Sequence, residues 1–219
     1  MNPPRTKKKG AKAKRLSKIL DKLKAHDPNP ECALDHANPF ELLAATILSA
    51  QCTDERVNRV TPGLFSRFPD SVSLAKAKIE DIEELVRSTG FFRNKAKNLS
   101  GMARRVDVVY DGEIPQEMED LLTLPGVARK TANVVRGVCW GLAEGVVVDT
   151  HVGRISQRLG LTKEKNPVKV ERDLMDQLPV DEWITFSHRI IRFGRSTCQA
   201  KKPQCEGCLL DDLCPRIGV

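Results

Sequence analysis

The chain has 219 residues, 40% hydrophobic and 30% charged, a globular composition with room for one large or two modest domains. No run of about 18 apolar residues is present, which argues against a membrane-spanning helix, and the opening stretch MNPPRTKKKGAKAKR lacks the apolar segment of a secretory leader. The net charge of +7 is concentrated at one end: residues 1–24 carry ten Lys/Arg against one acidic residue, and the other 195 carry 26 basic against 28 acidic. A basic arm of this kind suits nucleic-acid phosphates and a solubilising tail equally well, so any nucleic-acid binding by the body must come from local motifs.

In chain order, residues 1–13 read as a flexible basic arm. Leu16, Ile19, Leu20 and Leu23 then recur at helical spacing, and Pro28 and Pro30 close that helix. Asn38, Pro39 and Glu41 form a helix start, with the helix running to about residue 50. A second helix begins after Thr53 and Asp54, with Asp54 the preferred cap. The segment IEDIEELVRSTGFFRNKAKNLSGMARRVDVVYDG predicts two helices joined around Gly90. The best strand candidate is the short run GVVVD, which leads at once into a helical pattern. The architecture is therefore mainly α.

IPQEMEDLLTLPGVARKTANVVRGVCWG predicts helix, tight turn, helix. Met118, Leu121, Leu122 and Leu124 give the first apolar face, and Val127, Ala128, Thr131, Ala132, Val134 and Val135 the second. Gly126 permits the turn. Such a turn leaves backbone N–H groups and the positive end of the second helix facing outward, which binds a phosphate oxygen without a basic side chain. Lys130 falls in the first turn of that helix. A solvated surface lysine is the ordinary reading. A helix N-terminus nevertheless disfavours an ammonium, by roughly 0.3–1 kcal/mol at an exposed site, and favours the neutral, nucleophilic amine.

Asp149 follows an apolar run and precedes the helical pattern THVGRISQRLG. It reads as an N-cap, and a carboxylate held by backbone donors can also stabilise developing positive charge. Of seven cysteines, Cys32, Cys52 and Cys139 are scattered. Cys198, Cys205, Cys208 and Cys214 form a Cys-x6-Cys-x2-Cys-x5-Cys cluster. Without an export signal this spacing argues against disulfides and for four thiolates on one metal centre, zinc or iron–sulfur. Lys201 and Lys202 lie inside the cysteine loop, where they can meet phosphates.

LPGVARKTANVV, VDTHVGRISQRLG and the cysteine spacing, in this order, resemble the endonuclease III family of DNA glycosylases within the helix-hairpin-helix superfamily. The resemblance covers roughly residues 14 to 216. It implies an all-α, two-domain fold with a central DNA-binding cleft. One domain would be a six-helix barrel over 32–142, and the other a discontinuous iron–sulfur domain built from 14–31 and 143–219. It implies that the four cysteines hold a [4Fe–4S] cluster, that Lys130 is the catalytic lysine, and that Asp149 is the catalytic aspartate. Gln51 falls on the residue that enters the DNA stack, and Phe91 stands where relatives often carry an aliphatic wedge. Leu124, Gly126, Ala128, Arg129, Thr131, His151, Arg154, Lys201 and Lys202 are the further expected DNA contacts, and the helix before the cysteines offers His188, Arg189 and Arg192. The hairpin reads Gly126-Val127-Ala128 where the family usually has Gly-Val-Gly. The implied activity is removal of oxidised pyrimidines from double-stranded DNA, followed by cleavage of the abasic site. The implied protein is a monomer of the bacterial cytoplasm, associated with the nucleoid and with no membrane partner. An AP lyase with little glycosylase activity and a non-catalytic DNA-binding protein are the two other readings.

Overall fold

The computed structural model describes residues 5–219, with side chains from residue 10 onward. No strand occurs among the described residues. The chain divides into two compact units, one combining the chain up to Glu31 with Ala143–Val219, the other comprising Cys32–Leu142.

The first helix, α1, spans Arg5–His26. It therefore extends back through most of the stretch expected to be a flexible arm, while residues 1–4 lie outside the described residues. The reason is local: Lys, Arg and Ala are good helix formers, and they continue the helix without needing a buried face. Beyond them, Leu16, Ile19, Leu20 and Leu23 are buried against Phe186, Ile190 and Phe193. Each such fully buried side chain contributes about 1.5–3 kcal/mol.

The Cys32–Leu142 unit holds α2 (Pro39–Leu48), α3 (Asp54–Arg67), α4 (Ser71–Ala75), α5 (Ile79–Val86), α6 (Phe92–Val109), α7 (Met118–Leu121) and α8 (Arg129–Trp140). Asn38 caps α2 by accepting from Glu41 N at 2.9 Å, and the Glu41 carboxylate reaches back to accept from Ala37 N at 2.7 Å. At α3 the cap is Thr53, which accepts from Arg56 N, and Asp54 is the first helical residue. That corrects the expected order; Asp54 instead places negative charge in the first turn, where the helix dipole favours it. Leu42, Leu43, Leu48, Leu99, Met102 and Leu121 form the centre of this unit's core.

The other unit contains α1 with α9 (Thr150–Arg158), α10 (Pro167–Met175) and α11 (Trp183–Ser196), then a helix-free segment to Val219. The GVVVD run forms no strand. A strand needs a partner to pair with, and here Val146 is buried in a helical core instead. Helices α9 and α11 approach closely at Gly194, where an added Cβ would lie 2.6 Å from His151 Nδ1 and 2.9 Å from Ile155 Cδ1. Arg15 ties α1 to this unit's tail, donating to Leu159 O and Leu213 O at 2.8 and 2.9 Å.

Candidate functional site

In the Cys32–Leu142 unit the expected hairpin is present. Helix α7 is a single turn, Leu122 to Ala128 make the connection, and α8 begins at Arg129. Gly126 has φ +80 and lies against α6, so that a Cβ there would stand 2.8 Å from Asn98 Cβ. Pro125 rests in the notch left by Gly101, where a Cβ would come within 3.1 Å of the proline ring. Asn98 and Gly101 are thus the floor of the turn. The spacing of three within one helix was the available signal, and an isolated glycine inside a helical pattern marks such a close approach. Replacing Gly126 by Ala is expected to destabilise the protein by about 1–2 kcal/mol from the left-handed backbone alone. The clash with Asn98 adds to this, and thermal denaturation measures the sum.

The N-cap of α8 is Ala128, which brings no side-chain acceptor and makes no capping hydrogen bond. An α-helix cannot satisfy its own first N–H groups. Ala128, Arg129 and Lys130 are exposed at that start, and Thr131 is half-buried beside them. The arrangement leaves a positive, donor-rich helix end with a primary amine in its first turn. Leu124 does not belong to it. Its side chain is 2% exposed, its N–H donates to Leu121 O, and its carbonyl accepts from Val127 N. Leu124 anchors the turn in the core.

Gln51 and Phe91 occupy two further exposed positions of the same unit. Both are non-glycine residues in the left-handed region, at φ 53 and φ 48. Gln51 lies between α2 and α3, and Phe91 at the start of α6 with its ring 68% exposed. Exposed left-handed residues of this type are uncommon and cluster at functional loops.

In the other unit, Asp149 is the N-cap of α9, and its carboxylate accepts from Val152 N at 2.7 Å. His151 and Arg154 follow on the same helix. Arg154 Nη2 lies 3.2 Å from His151 Nδ1. Burial pushes the His151 imidazole below its ordinary range, against the opposing pull of Asp149. Arg154 Nη2 donates to Gly194 O at 3.4 Å and Cys198 O at 3.0 Å. One nitrogen of its guanidinium thus holds the chain at and just beyond the end of α11. Of the residues offered ahead of the cysteines, Arg189 is buried and paired with Glu182 at 2.8 Å, while Arg192 reaches Asp27 at 3.3 Å.

Cys198, Cys205, Cys208 and Cys214 all line one cavity of about 400 Å³, measured to its open mouth. Among the described residues no group of three or more His, Cys, Asp or Glu is placed to hold a metal ion. Several of the four sulfurs are set to accept hydrogen bonds. Arg158 Nη1 donates to Cys198 Sγ at 3.3 Å, Leu210 N to Cys208 Sγ and Arg216 N to Cys214 Sγ, both at 3.4 Å. Burial, and then the neighbouring sulfurs, push the Cys208 and Cys214 thiols up. Arg158, 5% exposed, also donates to Gln199 O and Ala200 O. Nothing in the sequence distinguished it from a solvated helical arginine. Lys201 and Lys202 are exposed in the loop it braces.

This helical chain, with a hairpin ending in an uncapped helix and a separate four-cysteine cavity, has clear relatives. A family model described as HhH-GPD superfamily base excision DNA repair protein matches residues 44–179. Endonuclease III of Synechocystis sp. is 56% identical over 209 residues, 95% of this chain and 95% of that protein. A non-covalent endonuclease III–DNA complex has a TM-score of 0.87 at 41% identity, covering 93% of this chain and 95% of that one. A trapped endonuclease III–DNA covalent intermediate also gives a TM-score of 0.87, at 42% identity over 93% and 96% of the two chains. The chain belongs to the endonuclease III family of the HhH-GPD superfamily.

Proposed function

We propose that Lys130 is the nucleophile and Asp149 the supporting carboxylate of an enzyme acting on oxidised pyrimidines in duplex DNA. The activity class follows from the family: the chain is a DNA glycosylase with AP lyase activity, working in base excision repair. The observation that carries the residue assignment is the uncapped start of α8, with Lys130 exposed in its first turn. It supplies a phosphate-binding helix end and an amine within one short segment. The structural relative trapped as a covalent intermediate with DNA fits an amine nucleophile.

The target nucleotide must leave the stack before its sugar can be reached. Gln51 and Phe91 fill the space it vacates and offset the lost stacking. The neutral amine of Lys130 attacks C1′, the C1′–N bond breaks, and the base departs with a proton. The fixed charge of Asp149 stabilises positive charge developing on the sugar. The sugar ring opens to an imine, which acidifies the C2′ proton. Loss of that proton breaks the C3′–O bond and releases the 3′ phosphate.

The cysteine cavity fits a [4Fe–4S] cluster. All four cysteines line it, and N–H donors directed at the Cys198, Cys208 and Cys214 sulfurs favour thiolates. When bound, such a cluster supplies four iron–thiolate cross-links to the helix-free tail. Arg158 orients Cys198, and Lys201 and Lys202 face phosphates from the loop so formed. By the same reading the protein acts as a monomer on the nucleoid of the bacterial cytoplasm.

Two duplexes test the function, one with thymine glycol and one with a bare abasic site. Cleavage of both is expected. Cleavage of the abasic duplex alone would reduce the protein to a lyase, and tight binding without cleavage of either would make it a binding module. Asp149→Asn separates scaffold from chemistry. Asn caps helices as well as Asp does, so the melting temperature should hold, while the single-turnover rate should fall on the order of 100-fold.

A further inference from the structure

The tip that carries Phe91 is constrained backbone, and one buried cation holds the side that leads into it. Gly90 has φ 72 and ψ 152, a region essentially reserved to glycine. Phe91 follows at φ 48 and ψ 30. Two successive residues at positive φ under an exposed ring need an external restraint to stay in one conformation. The Lys95 side chain provides one: its ammonium turns back to donate to Thr89 O at 2.7 Å, while the first backbone bond of α6, from Lys95 N to Phe91 O at 3.1 Å, closes the other side of the tip.

The residue is 4% exposed. Burial pushes the ammonium below the ordinary lysine range, and the group that opposes this is the Cys52 thiol rather than a carboxylate. Cys52 directly follows Gln51, so the same cation lies within electrostatic reach of the other exposed left-handed turn. A buried ammonium is a costly way to satisfy one carbonyl, since an apolar side chain of equal volume avoids the desolvation. Holding the tip in order before DNA arrives is what this expensive contact achieves, because a preordered loop loses less entropy on binding.

We propose that Lys95 is a positioning residue for base extrusion, fixing the Gly90–Phe91 tip so that the Phe91 ring enters the duplex already ordered. This rests on the assignment of Phe91 as a residue that fills the stack. Lys95→Met keeps the aliphatic stem and removes only the bond to Thr89 O. The test compares single-turnover glycosylase rates on a thymine glycol duplex with lyase rates on a preformed abasic duplex, where no base has to be unstacked. A 2-aminopurine beside the lesion reports unstacking directly.

Lys95→Met is expected to slow the glycosylase step by about 10-fold or more, leave the lyase step within about threefold, and weaken the fluorescence rise. Adding it to Phe91→Ala is expected to slow the enzyme no further than Phe91→Ala alone. Equal losses in both steps, additive losses in the double variant, or unaltered rates would overturn the proposal. A Phe91→Ala enzyme with a normal glycosylase rate would instead overturn the Phe91 assignment, and the proposal with it. Should Lys95→Met lose its cooperative thermal transition, Gly90→Ala disturbs the same tip, since nothing lies within 4 Å of a Cβ there. The same selective loss of the glycosylase step is expected, and its absence would contradict the proposal.

Discussion

Lys130→Gln should lower both base removal and strand cleavage by roughly 10⁴–10⁶-fold, the range seen when a catalytic nucleophile is removed, with duplex binding largely unchanged. The two halves of this expectation have separate physical origins. Affinity at the hairpin comes from backbone N–H groups and the field at the start of α8, and neither depends on the side chain at position 130. Lys130 is exposed, so its replacement by Gln leaves no cavity and no buried orphan, and the melting temperature should stay near that of the wild type. Chemistry is lost because an amide cannot form an imine with C1′. Fluorescence anisotropy on an abasic duplex, paired with single-turnover rates, separates the two. A variant that lost affinity and rate in equal proportion would show that Lys130 binds DNA rather than reacting with it.

Cys198→Ala should have the second largest effect, this time on folding. The tail after α11 contains no helix, and Leu210 is its one deeply buried apolar side chain among the described residues. What surrounds it is the cysteine cavity and the carbonyls braced by Arg154 and Arg158. With one sulfur removed, the cluster loses an iron ligand and Arg158 loses an acceptor in a site where it is buried. Metal binding and folding are coupled in such segments. Iron and acid-labile sulfide should both disappear, and the melting midpoint should fall by roughly 5 °C or more, equivalent to about 2 kcal/mol for a chain of this size. Binding through Lys201 and Lys202 should weaken with it. Retention of iron, sulfide and melting temperature would remove Cys198 from the ligand set, and one zinc with no sulfide in the wild-type protein would replace the cluster.

The features legible in the sequence are those governed by neighbours a few residues away. Asn38 and Asp149 cap their helices because a short acceptor two or three residues before an N–H satisfies it locally. The turn at Gly126 and the spacing of the four cysteines are likewise short-range patterns. What the sequence concealed depends on distant segments. Leu124 belongs to the apolar face the sequence shows, yet that it closes a core assembled from seven helices is not visible from its neighbours. Arg154 and Arg158 look like solvated helical arginines until α11 delivers the carbonyls that hold them. Lys95 lies two positions past Arg93, the start of an exposed-looking, basic stretch, and yet it is buried. Thr53 displaced Asp54 as a cap by a single residue, a boundary decided by backbone dihedrals that composition does not encode.

The central claim is covalent chemistry at one lysine, and borohydride trapping on an abasic duplex reads it directly. The wild-type protein should form a stable adduct, and digestion followed by mass spectrometry should place the sugar remnant on the peptide containing Lys130. An adduct mapped to any other amine, or none formed while the strand is still cleaved, would contradict the assignment.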